Sequence, residues 1–353
     1  LCKKNNKKYY LALNIFAHNE DIRELETILP KLKKLDIDAF IVSDPGFIQI
    51  LRQQIPEVQI HLSTQSNVLN YESVRFWKEQ GVSRIILARE LSKTELVMIR
   101  KENPETELEM FVHGAMCMAY SGRCNLSLYL LGRDANKGNC AHVCRWKYEL
   151  LKNNSNQEIL MEEQDRGVYI LNSKDLNLAA RIPEIISMGI DSLKIEGRNK
   201  TSYYIASITR VYRNIIDKTW KKIKDTKVRK TYLDELNKVS HREYTTGFFS
   251  SSDKDLFNFK SSEYIKDYKM VGMIESYEKH QLVINVRDEI KCGDEIEIIF
   301  PDIIDDQVIE IKKILNTSTG KELKAAHNGY RIMVPVNNKA GLIHNLIIRK
   351  KNE

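Results

Sequence analysis

Nowhere in the 353 residues does an apolar run reach the length, about 20 residues, that a membrane-spanning helix needs. No charged-then-apolar secretory leader is present either. Both absences lead us to expect a protein that meets no membrane and resides in the cytoplasm. Glycine is sparse, at 15 residues, and no glycine-rich phosphate loop follows any strand candidate, which weighs against a doubly wound nucleotide-binding sheet. Neither Gly-x-Ser-x-Gly nor His-Glu-x-x-His occurs, so two common hydrolase signatures are missing. The chain opens LCKKNNKKYY, without methionine, and reads as the end of a polar helix entering a strand. We therefore expect it to start inside a larger domain. What remains is ordinary globular composition, 42% hydrophobic and 29% charged, with a length that predicts two domains. The formal net charge of +7 suits an anionic partner such as nucleic acid without requiring one.

Against these absences the cysteines stand out. Cys117, Cys124, Cys140 and Cys144 share one short stretch, FVHGAMCMAYSGRCNLS…GNCAHVCRW, while Cys2 and Cys292 lie far away. Clustered cysteines in a chain with no secretory leader point to a metal or redox site more than to a disulfide scaffold. Four thiolates suit zinc or an iron–sulfur cluster. Zinc sites mostly pair cysteines two to four residues apart, which only Cys140 and Cys144 satisfy. The spacing leans towards iron–sulfur, and zinc or unligated thiols stay open.

Buried strands alternating with helical patterns predict a parallel α/β sheet over the first two hundred residues. The strand candidates are 9–16, 39–44, 58–63, 84–89, 108–113 and 192–197, with helices at 21–35, 47–54, 70–80 and 92–102. Polar residues gather just past the strand ends: Asn14, His18, Asp44, Thr64, Gln65, Arg89, Glu90, His113, Glu196 and Arg198. In a TIM-type (β/α) barrel that end carries the site, so we expect such a barrel lacking its first two βα units. Residues 114–189 interrupt the rhythm as an insertion holding the four cysteines, a hairpin at 146–164, and a helix at 172–189 capped by Ser173.

Residues 1–200 thus form the expected partial barrel, 201–262 a helical and loop connector, and 263–353 a small antiparallel β-barrel with period-two patterning. Within the connector, residues 200–238 read as helix and 241–255 as loop. Lys218, Lys221, Lys222, Lys224, Lys227, Arg229 and Lys230 cluster around Trp220, either as a solvated face or as a nucleic-acid contact.

The stretch from Glu109 to Cys117, followed by Tyr120-Ser-Gly-Arg-Cys124-Asn-Leu-Ser127, closely resembles the signature of the collagenase-like peptidase family U32. The likeness extends through ALNIFAHNED, HLSTQSNV, NSKDL, GIDSLKIEGRNKTSYYIASITRVYR and HREYTTGF, nearly the whole chain. The resemblance implies a four-cysteine iron–sulfur cluster, of the 4Fe–4S kind, on Cys117, Cys124, Cys140 and Cys144. Its closest branch implies prephenate-dependent hydroxylation of the tRNA wobble uridine to 5-hydroxyuridine. Other branches imply a paralogous partner chain. A collagenase-like hydrolase, or a non-catalytic RNA-binding subunit of a modification complex, is the alternative.

Several residues follow as site candidates. Glu109 and His113 lie four apart on one strand and should share its inner face with Phe111, His113 serving as acid or base at the mouth. Lys194, Glu196 and Arg198 alternate on another strand, where buried charges need partners or a ligand. We expect Glu109, His113, Lys194 and Glu196 to be catalytic. Arg198 would grip prephenate carboxylates in two-pronged fashion, with Tyr120, Ser121, Lys174 and Tyr204 lining the substrate site. Lys221, Lys222, Lys224 and Lys227 would contact tRNA.

Overall fold

The structure is a computed structural model that describes residues 1–146, 148, 172–221, 230–250, 256–258, 261, 263–278, 280–336 and 344–352. The chain forms two compact units, residues 1–196 with 243–263, and residues 197–242 with 264–353. The stretch 201–262, expected as a connector, is thus divided between them. Among the described residues no helix is long and apolar enough to cross a membrane.

The first unit is built on β1 (Tyr10–Leu13), β2 (Ala39–Val42), β3 (Gln59–Leu62), β4 (Arg84–Ile86) and β5 (Glu107–Ala115), each parallel to the next. Between them lie α1 (Asn19–Leu32), α2 (Pro45–Gln54), α3 (Tyr71–Glu79) and α4 (Lys93–Glu102). Local chemistry sets where these helices start. The Asp44 carboxylate accepts the Phe47 N–H at 3.0 Å ahead of Pro45, and Asn70 Oδ1 accepts the Ser73 N–H at 2.8 Å. Ser92 and Glu95 form a reciprocal capping box at the head of α4. One sheet face carries Phe40, Val42, Ile60, Leu62, Ile85 and Leu108, all buried, as are Leu25, Phe47, Leu51, Val74, Leu96 and Ile99 on the helices.

The sequence between residues 172 and 189 departs from the expected helix. It forms β6 (Asp175–Asn177), a short 3₁₀ turn, and only then α6 (Ile182–Ser187). Pro183 sits in the first turn of α6, where its missing N–H costs nothing, so the helix starts here rather than ten residues earlier. Ser173 is bridged to Phe257 and caps no helix. β6 lies antiparallel to β5 and carries β8 (Tyr244–Thr245), a two-residue strand within the expected loop. β7 (Ser192–Ile195) pairs in parallel with β5. The hairpin expected at 146–164 falls, but for Trp146 and Tyr148, outside the described residues.

In the second unit α7 (Ser202–Lys221) and α8 (Lys230–Glu235) precede a curled antiparallel sheet. Its strands are β9 (Tyr268–Glu278), β10 (Gln281–Val286), β12 (Glu295–Ile299), β13 (Gln307–Glu310), β14 (Ile314–Asn316), β15 (Glu322–Leu323), β17 (Arg331–Pro335) and β18 (Ile347–Lys351). They are ordered β13-β12-β18-β9-β10-β17-β14-β15, while β11 (Ile290–Lys291) and β16 (Ala325–Ala326) form a separate pair. Among the described residues the terminal strands β13 and β15 do not pair, so the sheet is half of a barrel rather than a closed one. Val271, Ile274, Leu282, Ile284, Ile296, Ile298, Ile314, Ile332, Val334 and Ile348 fill its core.

Candidate functional site

Paired residues of a parallel ladder project to the same side, and the ladder here assembles a polar face from distant positions. His61 pairs with Arg84, Arg84 with Glu107, Glu109 with Ser192, and Phe111 with Lys194. Glu109 is buried at the centre. It accepts from Ser192 Oγ at 2.8 Å, Lys194 Nζ at 3.2 Å and Arg84 Nη1 at 3.3 Å. Burial alone would raise its carboxyl, but Lys194, Ser192 and Arg84 together hold it below the usual carboxylate value. His61, 1% exposed, lies edge-on to the Tyr10 ring at 4.7 Å, and neither ring nitrogen has a hydrogen-bond partner. Burial, assisted by Arg84, pushes its imidazole from 6.5 down to about 4. His61 was not among the sequence-predicted residues. Counting by twos along β3 from the strand pairing would have put it on this face.

Glu109 and His113 are on the same strand, β5. A register shift between Phe111 and His113 interrupts the alternation. His113 is buried, with its ring 5.4 Å from that of Tyr244 and its carbonyl accepting the Glu196 N–H at 2.9 Å. Gly114 allows that approach: its φ is +113°, and a Cβ there would meet the Glu196 carbonyl oxygen at 2.7 Å. The set Lys194, Glu196 and Arg198 also separates. β7 ends at Ile195, Glu196 lies just past it, and Arg198 is an exposed residue of the second unit. Lys174 pairs with Glu243 at 3.2 Å. Tyr204, in the second unit, is buried with Lys200 Nζ 4.8 Å from its ring. Lys221 is the last residue of α7, whereas Lys222, Lys224 and Lys227 lie outside the described residues.

The cysteine insertion is stitched to the carboxyl ends of the strands. Arg89, after β4, donates Nη1 to the Ala115 carbonyl at 2.5 Å. Glu90 receives both the Ser121 N–H at 2.8 Å and the Ser121 hydroxyl at 2.6 Å, and the Arg89 N–H donates to Ser121 Oγ at 3.1 Å. Ser121 is fully buried in this lock. Tyr120 beside it is 58% exposed. Gln65 Nε2 donates to the Asn136 carbonyl at 3.4 Å, Arg123 Nε donates to the Gln65 carbonyl at 3.3 Å, and Lys137 pairs with Asp21 at 2.7 Å. Glu90 was placed by the sequence only among the polar residues past the strand ends, and Asn136 had no role beyond loop membership, because each acts through a partner distant in the chain.

All four clustered cysteines are free thiols, Cys117 exposed and the others half-buried. Burial raises the Cys144 thiol, Arg145 works against that, and charge on Cys117, Cys140 or Cys124 would raise it further. His142, in the left-handed conformation at φ 56°, aims its N–H at Cys140 Sγ at 3.4 Å. Among the described residues no three His, Cys, Asp or Glu side chains close into a metal-binding group. The donor set itself fits a thiophilic metal: four sulfurs, one amide N–H aimed at a sulfur, and an adjacent guanidinium.

The molecule is thus an α/β protein whose strand ends carry a cysteine-bearing insertion, joined to a second unit with an antiparallel sheet. Residues 1–257 match peptidase family U32 and residues 266–349 match the peptidase family U32 C-terminal domain. The chain belongs to peptidase family U32. It is 37% identical over 336 residues to tRNA hydroxylation protein P1 of Bacillus subtilis, covering 94% of this chain and 78% of that protein. It is 34% identical over 391 residues to tRNA hydroxylation protein P of Escherichia coli, covering 97% and 84%. A 23S rRNA 5-hydroxycytidine synthase of Escherichia coli is 30% identical over 298 residues, covering 83% of this chain and 44% of the synthase.

Proposed function

We propose that this chain is an RNA-modifying enzyme that hydroxylates the wobble uridine of tRNA to 5-hydroxyuridine, with prephenate as anionic co-substrate. Relatives named for tRNA hydroxylation and for rRNA 5-hydroxycytidine synthesis support the reaction class. The observation that carries the reading is the insertion that bears four free thiols and is tied through Ala115 and Ser121 to Arg89 and Glu90, just past β4. In this reading Cys117, Cys124, Cys140 and Cys144 hold an iron–sulfur cluster, which supplies one-electron chemistry when bound. His113 holds or moves a proton at the substrate, and the exposed Arg198 guanidinium grips a carboxylate. The parallel strands belong to a (β/α) barrel in this proposal, the basic residues near α7 take the tRNA, and the work is done in the cytoplasm, with a paralogous chain as partner.

The family name suggests proteolysis instead. Ser121 is a poor nucleophile for it, since the residue is fully buried and offers a peptide bond no approach to its hydroxyl. The test is anaerobic purification with iron, sulfide and visible-spectrum analysis, wild type against Cys140→Ala. Alongside it, tRNA nucleosides are measured by mass spectrometry in cells lacking the endogenous activity. We expect iron and sulfide in the wild type, lost on substitution, and 5-hydroxyuridine restored only by the wild type. A colourless, iron-free wild type that still restores the nucleoside removes the cluster. Unmodified tRNA with peptide cleavage by the purified protein replaces the whole reading with the hydrolase one.

A further inference from the structure

Two of the thiols sit on either side of α5 (Leu126–Leu131): Cys124 just before the helix and Cys140 in the loop that returns from it. The loop is tied back at the Asn136 carboxamide. Asn136 Oδ1 accepts the Cys124 N–H at 3.1 Å, and Asn136 Nδ2 donates to the Cys124 carbonyl at 3.2 Å and to Asn125 Oδ1 at 3.0 Å. Only a primary amide offers an acceptor and two donors in one plane, so no carboxylate, hydroxyl or ammonium could make this set. The clamp is itself held. Asp134 Oδ1 accepts the Asn136 N–H at 2.8 Å, Gln65 Nε2 reaches its carbonyl, and the residue is 9% exposed. A second tie lies beside it, where the buried Ser127 hydroxyl accepts the Ala141 N–H, next to Cys140, at 3.0 Å.

We infer that Asn136 is a positioning residue that fixes the backbone of Cys124 relative to Cys140, so that a metal centre is loaded onto thiols already brought near. The inference rests on the reading that these thiols hold a cluster, and it concerns how they are held rather than which reaction follows. Four ligands on flexible loops must each lose freedom on binding, and a preformed backbone clamp removes part of that cost before the metal arrives.

The variants are Asn136→Ala, which deletes the clamp, and Asn136→Asp, which keeps the acceptor for the Cys124 N–H and gives up both donations. After anaerobic reconstitution, bleaching of the visible absorbance by a chelator should be about tenfold faster in Asn136→Ala, the factor expected when two backbone hydrogen bonds are lost. Asn136→Asp, which sets a carboxylate oxygen against the Cys124 carbonyl, should bleach no more slowly than Asn136→Ala, with circular-dichroism melting of all three proteins alike. The metal-free proteins are treated in parallel with dibromobimane, a short bifunctional thiol reagent, and cross-linked peptides are identified by mass spectrometry. The Cys124–Cys140 product should dominate in the wild type and drop in Asn136→Ala. Equal bleaching and equal cross-linking overturn the clamp while leaving the cluster intact. A wild type that takes up no iron overturns the cluster reading alone, and the cross-linking then decides the clamp.

Discussion

Arg349 Nη2 donates to Glu235 Oε2 at 2.8 Å with side-chain exposures of 0% and 3%, joining the last strand of the second unit to α8. Arg210 of α7 reaches the same glutamate at 2.5 Å and Asp306 at 2.6 Å, while Arg349 also binds Glu297 at 2.6 Å. Burial would raise the Glu235 carboxyl, yet the guanidiniums hold it below its usual value. Removing Arg349 leaves the buried Glu235 compensated only by Arg210 and Lys238, so Arg349→Met should cost about 3 kcal/mol in urea unfolding. Arg349→Met combined with Glu235→Leu should lose less than the two single changes added together. Additive losses would mean that the pair is not coupled.

Gly114 and Gly132 both have positive φ, +113° and +66°, but only Gly114 is crowded. At Gly132 nothing lies within 4 Å of an added Cβ. Gly132→Ala, at the end of α5, should cost about 1 kcal/mol from backbone strain alone. Gly114→Ala adds the collision with Glu196 and should cost about 3 kcal/mol. Thermal melting of the two variants side by side checks this, and equal melting points would show that the β5 bulge yields without resistance.

His61 predicts an acid limb. The unfolded imidazole takes a proton near 6.5 and the folded one only near 4, with Arg84, Lys194, Glu107 and Glu109 as its charged neighbours. The folded state is therefore fully favoured above 6.5 and loses stability as the pH falls towards 4, by about 3 kcal/mol in total. Glu109, whose carboxyl is lowered from 4.5, adds its own loss only below that value. Unfolding free energies at pH 7.5, 6 and 5, to be measured on wild type and His61→Phe, should converge on the acid side as the variant loses the slope. An identical slope in both would place the titration elsewhere.

The parallel strands and their helices were legible because each carries its own period, with Asp44, Asn70 and Ser92 marking the helix starts. The stretch around Asp175 was not. Its Leu and Ala content favours a helix locally, and only pairing with β5 and β8, both distant in the chain, makes it a strand. The cysteines announced themselves by clustering. Asn136 and Glu90 did not, because an Asn in a turn and a Glu after a strand are ordinary until the loop they hold is in place. The face shared by Glu109, Lys194 and Arg84 was half legible: the alternation within each strand showed it, and the β5 register shift that detaches His113 did not show.

That face decides between two roles for Glu109 and Lys194, which the sequence marks as catalytic and the structure joins in a partly buried pair at 3.2 Å. A structural network predicts that either side chain is needed by the other. Glu109→Gln leaves Lys194 and Arg84 without their shared carboxylate, and Lys194→Met leaves Glu109 with less compensation for its burial. Each should then cost about 2 kcal/mol or more, and the double variant should recover part of the sum. A catalytic role predicts the reverse: melting near that of wild type, with 5-hydroxyuridine formation lost in both single variants and not regained in the double. Measuring stability and tRNA nucleosides on the same three variants separates the two. We expect the coupled stability loss, because Glu109 spends its oxygens on Ser192, Lys194 and Arg84, leaving little capacity for a substrate.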